Sequence, residues 1–349
     1  MALLLLVALL AVLARPVSLR VVALVTVAEG LGLEVPRPFA PAVERVPDVI
    51  GGVEVDRYAP STNGVSLADP AIVLVPGAAP AGRDDERVVA IATALARASR
   101  GVVVPELEVY GEDLVPADIE RLVDLAGALS RDHGPVVLAG LSFGGSLSLV
   151  AADDPRLADR VALVATFGAY ADLAGVLQAA TTGVSLVDGE QIGWNPDPRA
   201  AEVVEEQLLG LLTGADRELV VAVLVGERDA ASLRSELRAV YDLLEDDDPE
   251  RTMAHVDAAP EAVRDRIAEV SPARAAPDLA VPIVALHTRD DPVIPYGELA
   301  RLEVAYPQTE ALTLATFDHV GPGDEDEGWW VTVRDLWTTA RFVHRLLGA

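Results

Sequence analysis

The run PVVLAGLSFGGSLS, residues 135–148, decides how this chain is read. Its apolar start, Pro135 to Leu138, suits a strand buried on both faces, and Ser146 to Asp153 reads as helix. Between them stands Gly140-Leu141-Ser142-Phe143-Gly144. A serine at the tip of so sharp a turn is held in a strained backbone conformation. It tolerates no bulk two residues to either side, and Gly140 and Gly144 supply that room. The helix that follows points backbone N–H groups toward any negative charge developing at the tip. Strand, Gly-x-Ser-x-Gly turn and helix together form the pattern of a nucleophile elbow, with Ser142 as candidate nucleophile.

Working outward, short apolar runs alternate with amphipathic stretches. Val53 to Tyr58 alternates as a half-exposed strand. Ala71 to Val75, Gly101 to Val104, Val161 to Ala165 and Ile283 to Leu286 are buried-strand candidates, and Arg87 to Arg97 and Pro116 to Arg131 are helical. Such alternation predicts an α/β fold, a mostly parallel central sheet flanked by helices. The alternation stops between about Ala171 and Asp278. There the pattern is helical, with Leu219 to Leu224 as the one strand candidate, and predicts a helical cap over residues 171–274 inserted into a core of 40–170 and 275–349. Residues 1–35 form a separate hydrophobic segment. Met1 to Ala14 is apolar, Arg15-Pro16 interrupts, and a second apolar run follows Arg20. Neither half reaches the ~20 apolar residues of a spanning helix. Three readings stay open: a membrane anchor, two helices docked on the domain, or an export signal. The arginines after the first run favour a cytoplasmic domain if it inserts. The expectation is a membrane-associated protein with its catalytic domain in the cytoplasm, with a soluble cytoplasmic protein as alternative.

A serine hydroxyl is a weak nucleophile and needs a base to take its proton. Of five histidines, His319 lies in Ala315-Thr-Phe-Asp-His-Val-Gly321, after the strand-like 310–314 run and before the last helix, at the sheet edge where the elbow should stand. His287 falls inside a buried strand and His344 inside the final helix, both packing positions. His133 and His255 lie in polar segments. The acid should come from the end of another strand, and VPIVALHTRDDPVIP, residues 281–295, provides Asp290 and Asp291.

At this point the chain resembles the α/β-hydrolase fold superfamily, in particular its uncharacterised bacterial serine esterase- and lipase-like members. The family's usual H-G-x-x-D followed by x-x-x-P aligns with His287 and Pro295, so the resemblance implies Asp291 as the acid; Thr288 replaces the usual glycine. The order Ser142, Asp291, His319 is the family's order. Resemblance also implies an oxyanion hole of two backbone N–H groups, one on Phe143. The other follows the third strand in Val75-Pro-Gly-Ala-Ala-Pro80, with Ala78 as first choice and Ala79 as second, since Pro80 has no N–H. The resemblance covers about residues 50–170 and 275–349.

Composition narrows the partners. The net charge is −28, with 55 acidic residues against 27 basic ones and no lysine. A surface of that sign repels nucleic-acid phosphates and anionic lipid head groups. It fits either a coding bias toward Ala, Val, Arg, Asp and Gly or a salty habitat. The absence of cysteine removes disulfides, thiolate metal sites and a cysteine nucleophile. No phosphate loop, dinucleotide fingerprint or zinc motif occurs, so no cofactor and no metal is implied. Glu245 to Glu250 reads as a solvated loop. Asp324 to Glu327, close after His319, reads as another or as a rim of the site that raises the basicity of His319. The expected function is a serine hydrolase cleaving a carboxylic ester or related acyl bond of a small, hydrophobic substrate through an acyl-enzyme. Alternatives are acyl transfer, another reaction of the same fold, or a non-catalytic membrane-associated binding protein on this scaffold.

Overall fold

A computed structural model of the 349-residue chain describes residues 42–60, 71–77, 81–98, 101–108, 116–315 and 329–349. Its centre is an eight-stranded sheet: β1 (Val43–Ile50), β2 (Val53–Pro60), β3 (Ile72–Val75), β4 (Val102–Pro105), β5 (Val136–Leu141), β6 (Val161–Phe167), β9 (Ile283–Thr288) and β10 (Thr309–Leu314). The spatial order is β1-β2-β4-β3-β5-β6-β9-β10. Every pairing from β4 through β10 is parallel, and the antiparallel pairings, β1 with β2 and β2 with β4, lie at one edge.

The apolar runs end up buried on both sides because successive residues of a strand face opposite ways. Val73, Val75, Leu138, Val164 and Ala285 join one core with α2 (Ala117–His133) and α3 (Phe143–Ala152). Ile72, Leu74, Val137, Ala139, Val284 and Leu286 join the other with α1 (Glu86–Arg97) and the last helix, α12 (Trp329–Gly348). Each fully buried Val or Leu contributes about 1.5–3 kcal/mol, which is why these strands read as continuous apolar runs. β1 carries no such pattern, and none of its residues is buried. It is recruited instead by a tight turn through Gly51 and Gly52, both at positive φ, onto β2.

Between β6 and β9 the chain forms α4 (Leu173–Thr182), β7 (Val184–Val187), β8 (Glu190–Gly193), α5 (Pro198–Gly210), α6 (Gly214–Leu224), α7 (Ser235–Glu245), α8 (Thr252–Ala258), α9 (Glu261–Val270) and α10 (Pro272–Ala275). Two sequence expectations fail here. Leu219 to Leu224 is helix, not strand; it lies in α6, whose start is capped by the Thr213 side chain. The segment is also not all helical, because β7 and β8 pair as an antiparallel hairpin. Its turn is Asp188-Gly189, with both residues at positive φ. Asp-Gly between two short β-prone runs is a strong hairpin signal that the helical reading passed over.

The N-terminal segment 1–35 and the acidic run 324–327 lie outside the described residues. Among the described residues no helix is long and apolar enough to cross a membrane.

Candidate active site

Ser142 stands where β5 ends and α3 begins, at φ +51° and ψ −128°. For a residue with a Cβ this conformation costs on the order of 1–3 kcal/mol and persists only where surroundings over-determine it. Those surroundings are close. The Ser142 N–H donates to Phe167 O at 2.7 Å, and Gly145 N–H donates to Ser142 O at 2.9 Å. A Cβ on Gly140 would sit 2.3 Å from Gly145 Cα, and one on Gly144 would sit 2.2 Å from Pro76 O. Neither position has room for a side chain. The structure adds Gly77, where a Cβ would come within 2.8 Å of Ser142 Cβ and 3.4 Å of its Oγ. The loop after β3 therefore runs directly beside the serine. Phe143 is the first residue of α3, so its N–H belongs to the set that has no intrahelical acceptor.

Asp291 follows β9, two strands from β5. Leu141 pairs with Phe167, and Phe167 with Leu286, so the ends of β5, β6 and β9 lie level. With strands ~4.8 Å apart, two strand spacings, ~10 Å, separate the ends of β5 and β9 laterally. β10 is the next strand, and Leu314 lies opposite Thr288. His319, five residues beyond Leu314, is outside the described residues, as are Ala78 and Ala79.

The Asp291 side chain is fully buried. Its Oδ1 accepts from Val293 N–H at 2.8 Å and Ile294 N–H at 2.9 Å, closing the turn onto its own carboxylate. Its Oδ2 lies 3.5 Å from His287 Nε2, which is 3.0 Å from the Ile294 carbonyl. A carbonyl only accepts, so that nitrogen carries the proton. His287 is buried in β9 and braces this turn, as its packing position suggested. Asp290, the other acid candidate, is exposed.

A buried polar cluster that the sequence did not flag supports the wall beside the elbow. Ser146 Oγ, on α3, donates to Tyr170 O at 2.8 Å and accepts from Tyr170 N–H at 3.0 Å. The Tyr170 ring packs edge-on against Phe143 at 5.3 Å, and its hydroxyl donates to Val270 O. Next along the chain, Ala171 and Asp172 N–H groups both donate to Glu298 Oε2 at 3.0 Å. Glu298 belongs to α11 (Gly297–Ala305) and is fully buried. Burial pushes its carboxyl up to about 7, against the pull of Arg301 and the two backbone donors. Arg301 Nε lies 3.0 Å from Glu298 Oε1, an ion pair without hydrogen-bond geometry. Beside Phe143 an apolar cleft opens against α4, α5 and α9, lined by Leu173, Leu177, Leu208, Leu211 and Ile267, with Gln207 its one polar lining residue among those described.

An eight-stranded, mainly parallel sheet with this serine turn defines a class, and comparison with known proteins gives the family. The chain matches the Alpha/beta hydrolase family over residues 72–324 and belongs to it, among hydrolases. Among solved structures it is similar to a truncated carbohydrate esterase from gut microbiota at 15% identity, with TM-score 0.51, covering 89% of this chain and 100% of that one. An esterase of Pyrobaculum calidifontis aligns at 15% identity and TM-score 0.49, over 96% of this chain and 91% of that one. A serine hydrolase of the polyaromatic-hydrocarbon-degrading bacterium Cycloclasticus zankles aligns at 16% identity and TM-score 0.45, over 87% and 97%. At such identities the likeness concerns the fold. Among curated proteins none matches significantly.

Proposed function

We propose that this protein is a serine hydrolase that cleaves carboxylic esters of small hydrophobic acids through an acyl-enzyme on Ser142. In this reading His319 takes the Ser142 proton and later returns it to the leaving alcohol, and Asp291 orients the imidazole and stabilises its charged form. The N–H groups of Phe143 and Ala78 hold the oxyanion, where one donor is worth about a hundred- to thousand-fold in rate. The observation that carries the proposal is the backbone of Ser142. A serine held at φ +51° at the tip of a strand–helix turn, with glycines packed against it, is strain that a merely structural serine would not need. The buried Asp291 two strands away, with one oxygen fixed by its own turn, supports the assignment of the acid. The apolar cleft beside Phe143 supports a hydrophobic acyl group.

The test is hydrolysis of p-nitrophenyl esters of increasing acyl length by wild type and Ser142→Ala. Turnover that depends on Ser142 and prefers an aliphatic acyl chain to acetate is the expected result. A folded wild type without esterase activity, or Ser142→Ala as active as wild type, would overturn the proposal.

A further inference from the structure

We propose that Trp194 is a positioning residue for the acid of the site, and that the hairpin β7–β8 acts as a bracket on the turn that carries Asp291. This rests on the reading of Asp291 given above. The contacts within the turn fix the carboxylate and the far end: Oδ1 takes the Val293 and Ile294 N–H groups, and His287 engages the Ile294 carbonyl. Those contacts leave the carbonyls of Asp291 and Pro292 to partners outside the turn. Both carbonyls are met by the segment leaving the hairpin. The Trp194 indole Nε1–H donates to Asp291 O at 2.7 Å, and the Asp197 backbone N–H donates to Pro292 O at 2.8 Å.

The hairpin can act as a bracket because it is itself fastened to α11, the helix that starts just past the acid turn. Arg301 donates to Leu186 O at 2.6 Å and to Gln178 Oε1 at 2.9 Å, and that same Gln178 oxygen accepts from Leu186 N–H. Gly297, the first residue of α11, lies so near β7 that a Cβ would come within 2.4 Å of Ser185 Cβ. Trp194 N–H in turn donates to Gly183 O at 2.7 Å, tying the exit of the hairpin to its entrance. The start of the acid turn and the helix that follows it are thus both tied to one hairpin nearly 100 residues earlier in the chain. Misplacement of a catalytic group by ~1 Å can cost up to 10²-fold in rate, so two hydrogen bonds here have leverage beyond their own strength.

The experiment measures kcat and KM on p-nitrophenyl butyrate, with active sites counted by fluorophosphonate titration so that unfolded protein does not contribute. Trp194→Phe keeps an aromatic ring, smaller than the indole, and removes the donor. Asp197→Pro removes the second donor at a position already flanked by Pro196 and Pro198, and Asp197→Ala keeps it. The expected result is a kcat per titrated serine lowered about tenfold in Trp194→Phe relative to wild type and severalfold in Asp197→Pro relative to Asp197→Ala, with KM within about twofold. Wild-type kcat in both Trp194→Phe and Asp197→Pro, with the serine still titrated, would overturn the bracket and leave the hydrolase reading intact. A wild type that fluorophosphonate does not titrate would overturn the hydrolase reading itself. Should Trp194→Phe fail to fold, the contrast between Asp197→Pro and Asp197→Ala decides.

Discussion

The elbow and the acid turn sit at the same end of the sheet, yet they are built by opposite means. The elbow turn is written within Gly140 to Gly145 and seats directly on its neighbouring strands, at Pro76, Gly77 and Phe167. Gly140, Gly144 and Gly145 clear the space, and Gly145 N–H closes the turn on Ser142 O. The acid turn is closed locally by the carboxylate of Asp291 but referenced from afar, through Trp194, Asp197 and the hairpin braced on Arg301. The difference teaches where robustness and tuning reside. In the proposed roles, a strained nucleophile needs a rigid frame, whereas an orienting acid that touches no substrate is aimed by the inserted segment that also lines the apolar cleft.

The comparison can be broken or sharpened by variants of graded effect. The largest belongs to Ser142→Ala, with ester hydrolysis lowered at least about 10⁴-fold and the melting temperature little changed. Asp291→Asn keeps an oxygen for the two turn N–H groups while removing the charge that stabilises imidazolium. It should lower kcat about 10⁴-fold on the same assay without unfolding the protein. Gly144→Ala tests the local frame: with Pro76 O 2.2 Å from the new Cβ, overpacking should cost about 3 kcal/mol or more, read as a fall in the denaturant midpoint. A Gly144→Ala protein as stable as wild type would remove the contrast between the two regions.

The smallest effect concerns Glu298, which anchors the start of the inserted segment. Burial raises its folded carboxyl from the usual 4.5 to about 7, so the folded state holds more protons than the unfolded state between those values. Stability from this group is therefore full below about pH 4.5 and falls as pH rises to 7, by on the order of 3 kcal/mol. Glu298→Gln should flatten that slope when unfolding free energy is measured against pH. An unchanged slope would mean that Glu298 is ionised throughout.

The legible parts of this chain are those whose physics is local. Strands buried on both faces announce themselves as runs such as IVLV at 72–75 and IVAL at 283–286, and the eight-stranded sheet follows the predicted alternation. Ser142 and its glycines stand in one hexapeptide, and Asp291 sits at a strand end with a recognisable turn after it. What the sequence hid depends on partners far along the chain. β1 has no apolar face because it lies at an edge. Gly77 matters through its approach to Ser142, Glu298 through Ala171 and Asp172, and Trp194 through a carbonyl 97 residues away. The hairpin at 184–193 is a different case: its Asp188-Gly189 turn is legible in the sequence but lies within a long helical pattern.

The central claim is that Ser142 is an activated nucleophile. The most direct measurement is fluorophosphonate labelling of the purified full-length protein, with the adduct mapped by mass spectrometry. The expected result is one phosphonyl group on the peptide carrying Gly140 to Gly145, absent from Ser142→Ala. A folded wild type that takes no label, or an adduct on another serine that survives in Ser142→Ala, would contradict it.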